Sequence, residues 1–252
     1  MRLKGKTALI AGAGRNTGKA ISLTYAREGA DLILISRAAG DDLKQTAKQC
    51  EALGVNVLPL LADLGQSKEV DRAVKQGLER FGKVDTLVSV AAIRPHKDFW
   101  EFTDEEWQRV FAVNLHSTFY LARALAPAMM ERKTGSIIAL AGLASLKPTP
   151  MGAAVVTTKH GLHGLIKSLA LELGPHNIRA NLLNLTFINS ERRNPEWYPN
   201  AEKRDRQKTT ANFPLRRLGT ADEVADAALF LASDESTYIT GDCLNCVGGI
   251  QM

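Results

Sequence analysis

The chain reads as an α/β protein built on one doubly wound parallel sheet of about seven strands flanked by helices. Two observations predict it. Short apolar runs of strand length recur from end to end, and the segments between them space their apolar residues three and four apart, as helices do. A third observation places a ligand on that fold: a glycine-rich turn joins the first strand directly to the first helix.

Taken in order, the strand candidates are KTALIAG, DLILIS, VNVLPLL, KVDTLVSV, GSIIALA, IRANLLN and DCLNCV. Between them lie amphipathic segments such as TGKAISLTYAREG and SKEVDRAVKQGLERFG, which are long enough to cross over from one parallel strand to the next. The longest region without a strand or helix signal starts at Thr186 and carries the breaker sequence NPEWYP. Loops of that length in compact domains serve function or lack order, and a substrate lid over about 186–217 is the expectation.

With 252 residues, 45% hydrophobic and 23% charged, the chain can bury a sizeable core, and one domain over 1–252 is expected. No apolar run approaches the roughly 18 residues that cross a bilayer. The N-terminus MRLKGKTALIAG has no separate apolar region followed by a cleavage site, so a soluble, cytoplasmic protein with no membrane partner is expected. Cys50, Cys243 and Cys246 are too few for a disulfide scaffold. The last two form a C-x-x-C, but in a strand positions three apart face opposite ways, which favours two separate thiols over a metal site. No metal is expected.

The formal charge of +5 is concentrated in one stretch: residues 191–217 carry eight Lys or Arg against four Asp or Glu. Such a stretch reads as a solvated loop or as a rim that attracts an anionic small-molecule substrate. Nucleic acid is not expected, because no recognition motif accompanies the charge.

The glycine turn reads AGAGRNTGKAIS. A G-x-G-x-x-G fingerprint would start on Gly12 and Gly14, but its third glycine falls on Thr17. A glycine, three residues, then G-x-G maps instead onto Gly12, Asn16 and Gly18, with one glycine replaced. Asparagine is the side chain that best tolerates a left-handed backbone, so Asn16 can keep the turn.

With Asp63 after the third strand, VNLHSTF around Asn114, Lys159 on a helix and the closing ASDESTYITGDCLNCVGG, the chain resembles the short-chain dehydrogenase/reductase family along nearly its whole length. The resemblance implies a Rossmann-like fold, a nicotinamide dinucleotide and a homo-oligomer, dimer or tetramer. It places cofactor contacts at Gly12, Gly14, Arg15, Asn16, Thr17, Gly18, Asp63, Leu64, Ala91, Lys159, Ile188 and Ser190. At the end of the second strand the family selects its cofactor, and this chain has Ser36 and Arg37 where an acid would bind ribose hydroxyls. Arg15 adds a second guanidinium, so NADP(H) is favoured over NAD(H).

The catalytic pattern departs from the family's. Tyrosine four residues before the lysine and serine at the end of the fifth strand would carry the proton and orient the substrate. Here those positions are Val155 and Gly142, while Asn114 and Lys159 remain. Ser89, Val90, Ala91 and Ala92 replace the family's N-N-A-G, and Leu185 and Thr186 its Pro-Gly. His96, in RPHKDFW, is the candidate replacement acid because histidine titrates near neutrality. Tyr198 is a second candidate, and Ser145 sits three residues past the family's serine. His160 and His163 read as packing or surface residues. The expected function is a divergent oxidoreductase acting on a carbonyl or alcohol by a non-standard proton route. The alternatives are a non-catalytic nucleotide-binding or partner-binding protein, and a non-redox enzyme using the same pocket.

Overall fold

The computed structural model describes residues 1–37, 41–148, 150–191, 210–211 and 213–250. The strands are β1 (Thr7–Ala11), β2 (Asp31–Ser36), β3 (Val57–Leu61), β4 (Thr86–Ser89), β5 (Gly135–Leu140), β6 (Ile178–Leu185) and β7 (Cys243–Cys246). They form one sheet in the order β3-β2-β1-β4-β5-β6-β7, and every pairing is parallel. Strand order reverses between β1 and β4, and a sheet of this connectivity opens a ligand crevice there, beyond the carboxyl ends of the strands.

The central strands read as apolar runs because both of their faces are covered, whereas the edge strands β3 and β7 are only partly buried. Ala8 and Ile10 of β1 pack under α1 (Asn16–Arg27), α2 (Asp41–Glu51) and α7 (Ala221–Ala232). Leu9 and Ala11 face the opposite layer, built from α3 (Ser67–Phe81), α5 (Ser117–Arg132) and α6 (Ala153–Leu173). The seven strand candidates all form: DLILIS in full, IRANLLN one residue further to Leu185, and the other five with trimmed ends. In KVDTLVSV the regular strand starts at Thr86; the Asp85 backbone before it still bonds Thr7 and Ser136, and its buried carboxylate accepts from the backbone N–H of Thr7 at 2.8 Å and from the Arg132 guanidinium. Cys243 and Cys246 pack on opposite faces of the sheet, as their spacing predicts. Burial pushes both thiols up, Cys243 to about 11, with Asp242 and Glu223 adding to the effect on their respective neighbours. Among the described residues no His, Cys, Asp and Glu side chains cluster as metal ligands, and no helix is long and apolar enough to cross a membrane.

Between α4 (Asp104–Phe111) and α5 the helix widens into one π-turn, Ala112–His116, with Asn114 in its middle. Thr103 starts α4 with a reciprocal capping box to Glu106, which fixes where the chain leaves the loop after β4. That loop and the π-turn together shape one side of the crevice.

Candidate active site and nucleotide cleft

The glycine turn has the tight geometry that a phosphate cradle needs. A β-carbon on Gly18 would lie 2.0 Å from the carbonyl oxygen of Gly12, so only glycine fits at the start of α1. Gly12 has φ +100, and a β-carbon there would lie 2.8 Å from the backbone nitrogen of Ala91. The ends of β1 and β4 therefore approach closely, with the backbone N–H groups of Val90 and Ala91 both donating to the carbonyl of Ala11 at 2.9 and 3.0 Å. Asn16 stands in the left-handed region at φ 48, as its place in the turn requires. Arg15 caps α1 through its backbone conformation alone, without a side-chain hydrogen bond, so the first N–H groups of the helix face the cleft without a side-chain cap. Thr17 is buried against the turn, whereas Gly14 faces the Ser36 hydroxyl, 3.4 Å from where its β-carbon would stand.

Asn16 does more than preserve the turn. Its amide donates to the carbonyl of Glu191 at 3.1 Å and accepts from the N–H of Glu191 at 3.0 Å. These two bonds tie the phosphate turn to the segment after β6, across 175 residues of chain. A glycine at this position could not make them. Of the expected lid, residues 192–209 and 212, including Tyr198, lie outside the described residues.

At the adenosine end Arg15 and Arg37 are exposed, and neither makes an ion pair among the described residues. Ser36 is half-buried between them and the sheet. Asp42, in the first turn of α2, also reaches this end, with its β-carbon 3.7 Å from where a Gly14 β-carbon would lie. Asp63 accepts from Arg109 at 2.9 Å and from the N–H of Gly65. Burial works against its charge, yet the Arg109 hydrogen bond, the Gly65 N–H and the charges of Arg109 and Arg37 outweigh it and hold the carboxyl below its usual range. Leu64 turns its side chain into the core.

At the other end, Ile188 forms a parallel bridge with Gly219 in which the carbonyl of Phe187 and the N–H of Asn189 make the bonds. The N–H and C=O of Ile188 itself stay unpaired among the described residues, while its side chain is buried. Beside it the Thr186 hydroxyl is buried with no hydrogen-bond partner among the described residues. Buried polar atoms are normally satisfied, so an orphaned hydroxyl next to a free peptide marks where a polar ligand belongs. An amide-bearing nicotinamide ring fits this donor and acceptor set. Ser190, exposed two residues on, lies on the same segment.

Lys159 is 3% exposed, and its ammonium donates to the carbonyl of Leu140 at 2.7 Å. Burial, with help from the charge of Arg94, pulls it down to about 7. One turn back along α6, Val155 packs with Val110, Ala154, Ile93, Trp107 and Ala144, so an apolar wall stands where a tyrosine would. Asn114 is buried, and both ends of its amide are taken by one residue: it accepts from the N–H of Ile93 at 2.8 Å and donates to its carbonyl at 2.9 Å. The π-turn thus grips the loop after β4. Ser145 is buried, and its single proton serves Gly142 O or Asn184 Oδ1, both at 2.7 Å. This hydroxyl closes the turn after β5 and does not project into the cleft. Ser89 is likewise engaged, with Thr118 of α5 at 2.8 Å.

His96 is exposed and makes no hydrogen bond among the described residues. His160 bonds the carbonyl of Val156, and burial holds His163 below the usual histidine range, with His160 and Lys167 adding to the effect. The residue that sequence patterns did not single out is Arg94. Its guanidinium lies 4.0 Å from where a β-carbon on Gly142 would stand. The only advance signal was a cation two positions past Ala92 in a segment bordering the cleft.

The sheet order, the steric need for glycine at 18 and the orphaned polar atoms beyond β6 define a dinucleotide-binding α/β protein. Residues 12–251 match the family model described as Enoyl-(Acyl carrier protein) reductase. A 3-oxoacyl-[acyl-carrier-protein] reductase of Thermotoga maritima is 33% identical, with 99% of each chain covered. The L-rhamnose 1-dehydrogenase (NAD(P)(+)) of a Sphingomonas species is 32% identical over 98% of this chain and 97% of its own. Carveol dehydrogenase from Mycobacterium avium, solved in complex with NAD, superposes with a TM-score of 0.91 at 27% identity, covering 99% of this chain and 98% of that one. The chain belongs to the short-chain dehydrogenase/reductase family of oxidoreductases.

Proposed function

We propose that the protein binds NADP(H) in preference to NAD(H) and carries out hydride transfer on a carbonyl or alcohol without the family's serine and tyrosine. The observation that carries this reading is a glycine turn that keeps its tight geometry at Gly12 and Gly18 where the acid–base pair is gone. Gly12, Asn16, Thr17, Gly18 and the start of α1 suit the diphosphate, and Asp63 with Leu64 the adenine end. Arg15, Arg37 and Ser36 suit a 2'-phosphate, since exposed guanidinium groups that make no ion pair among the described residues attract it. Asp42 opposes them, which makes the preference a balance of near charges. Ala91 and Lys159 border the ribose next to the reacting ring, and Thr186, Ile188 and Ser190 suit its carboxamide.

When bound, the dinucleotide supplies or accepts the hydride. Valine at 155 and glycine at 142 move no proton, and Ser145 is committed to its own turn. Lys159 has the acidity that general acid–base catalysis favours near neutral pH, because a buried ammonium gives up its proton more readily. Asn114 acts by positioning, through the Ile93 backbone. We further read the substrate as a small molecule and the protein as a homo-oligomer, with exposed Phe119 of α5 and Leu171 of α6 supplying apolar surface.

Calorimetric titration of the wild type and Arg37→Ala with NADPH and NADH tests the cofactor. Tighter NADPH binding that falls toward the NADH value in Arg37→Ala is expected. Equal affinities, unchanged by the substitution, would remove the preference. The absence of a serine at 142 and a tyrosine at 155 favours a second reading, a nucleotide-binding protein without turnover. Binding of NADPH with no hydride transfer to any ketone or from any alcohol would establish that one instead.

A further inference from the structure

We propose that Arg94 is the recognition group for a substrate carboxylate, so that this site takes small keto or hydroxy acids in place of neutral ketones. Position comes first. Gly142 is where the family's serine would direct a hydroxyl at the substrate, and the Arg94 guanidinium reaches to 4.0 Å from the β-carbon that glycine lacks. That separation is ordinary van der Waals contact, so the Arg94 guanidinium borders the place that a side chain at 142 would occupy.

Charge supplies the second step. Arg94 is half-buried and makes no salt bridge or hydrogen bond among the described residues. Its neighbours differ: Lys97, three residues on in the same loop, is neutralised by Glu106 at 2.7 Å, and Arg109 by Asp63 at 2.9 Å. Lys159, whose amine is buried against the end of β5, has a backbone carbonyl and, among the described residues, no carboxylate. The Arg94 charge acts on Lys159, so an unpaired guanidinium and a buried lysine share this part of the cleft with no counter-ion among the described residues. Partly desolvated charge of one sign is costly unless an opposite charge joins it, and a planar guanidinium meets a carboxylate through two parallel bonds.

Pre-organisation supplies the third. Both hydrogen-bonding groups of Ile93 are held by the Asn114 amide at 2.8 and 2.9 Å, which fixes the backbone immediately before Arg94. Val155, Ile93, Trp107 and Ala144 provide an apolar wall alongside, suited to the short carbon skeleton of such an acid. The part of Arg94 is to bind and orient.

This inference deepens the substrate reading above and does not depend on which dinucleotide is used. The test pairs acids with their neutral esters: acetoacetate with methyl acetoacetate, pyruvate with methyl pyruvate, and 3-hydroxybutyrate with its methyl ester. Binding is measured by calorimetry with and without NADPH, for wild type, Arg94→Gln and Arg94→Lys, after NADPH affinity and thermal unfolding of each have been recorded. Wild type should prefer at least one acid over its ester by roughly tenfold or more, the scale of a charged hydrogen-bonded pair. Arg94→Gln should lose that preference, and Arg94→Lys should keep part of it. No acid binding better than its ester, or a preference that survives Arg94→Gln, would overturn the proposal. Failure to bind NADPH would instead count against the cofactor reading, and the titrations without nucleotide would still decide the role of Arg94.

Discussion

Replacing Lys159 by Met should stabilise the protein below neutral pH, with an effect that fades as pH rises. Lys159 is held at about 7 against an ordinary value of 10.5, chiefly by burial. Because the folded value is the lower one, the unfolded chain binds more protons between these limits, so wild-type stability climbs across that window. Below about pH 7 both states carry the charge and the full penalty applies. Each tenfold loss of proton affinity costs about 1.4 kcal/mol, so keeping the buried ammonium charged costs on the order of 5 kcal/mol there. The penalty falls by roughly 1.4 kcal/mol for each pH step of one above 7 and vanishes near the ordinary lysine value. Against this, Met loses the hydrogen bond to Leu140 O, worth about 1–3 kcal/mol for a charged donor. The net gain at pH 6 should then be about 2–4 kcal/mol, turning to a small loss above about pH 9. Urea unfolding of both proteins at about pH 6, 7.5 and 9 measures the difference, in which other titrating groups cancel. A difference that does not change with pH, or a variant less stable at about pH 6, would refute the assignment of a buried lysine with a depressed affinity for its proton.

Two further outcomes follow from the cleft. Gly18→Ala should abolish measurable NADPH binding while the sheet still folds, since its β-carbon would meet the Gly12 carbonyl at 2.0 Å; fluorescence titration against a circular-dichroism control checks it, and unchanged affinity would contradict the cradle. Gly142→Ser with Val155→Tyr should create NADPH-dependent reduction of neutral ketones that the wild type lacks, with each single change doing less. The serine β-carbon would stand 3.3 Å from Leu185 O, and tyrosine must enter the wall around Val155, so a stability loss of about 1–3 kcal/mol is expected. Robust wild-type reduction of those ketones would show that the missing pair does not limit the reaction.

Local pattern determined a great deal by itself. Apolar runs of strand length and helix-spaced segments are set by burial on two faces of a sheet, so all seven strands were legible, although the regular strand in KVDTLVSV starts only at Thr86. The glycine turn was legible for the same local reason: Asn16 tolerates φ 48 and Gly18 has no room for a side chain. The substitutions at 142 and 155 could also be counted from the lysine. What only the tertiary structure decided are the meetings of distant loops. Glu191 reaches Asn16 because the carboxyl ends of β1 and β6 open on the same crevice. Arg94 reaches Gly142 because β4 and β5 are paired neighbours, and because a π-turn from another part of the chain holds Ile93. Ser145, plausible by spacing as a substitute, is removed by a hydrogen bond to Asn184 on the next strand. Spacing along the chain constrains neighbours within one helix or strand; the direction of a loop side chain depends on which strands lie side by side and on what holds the backbone beneath it.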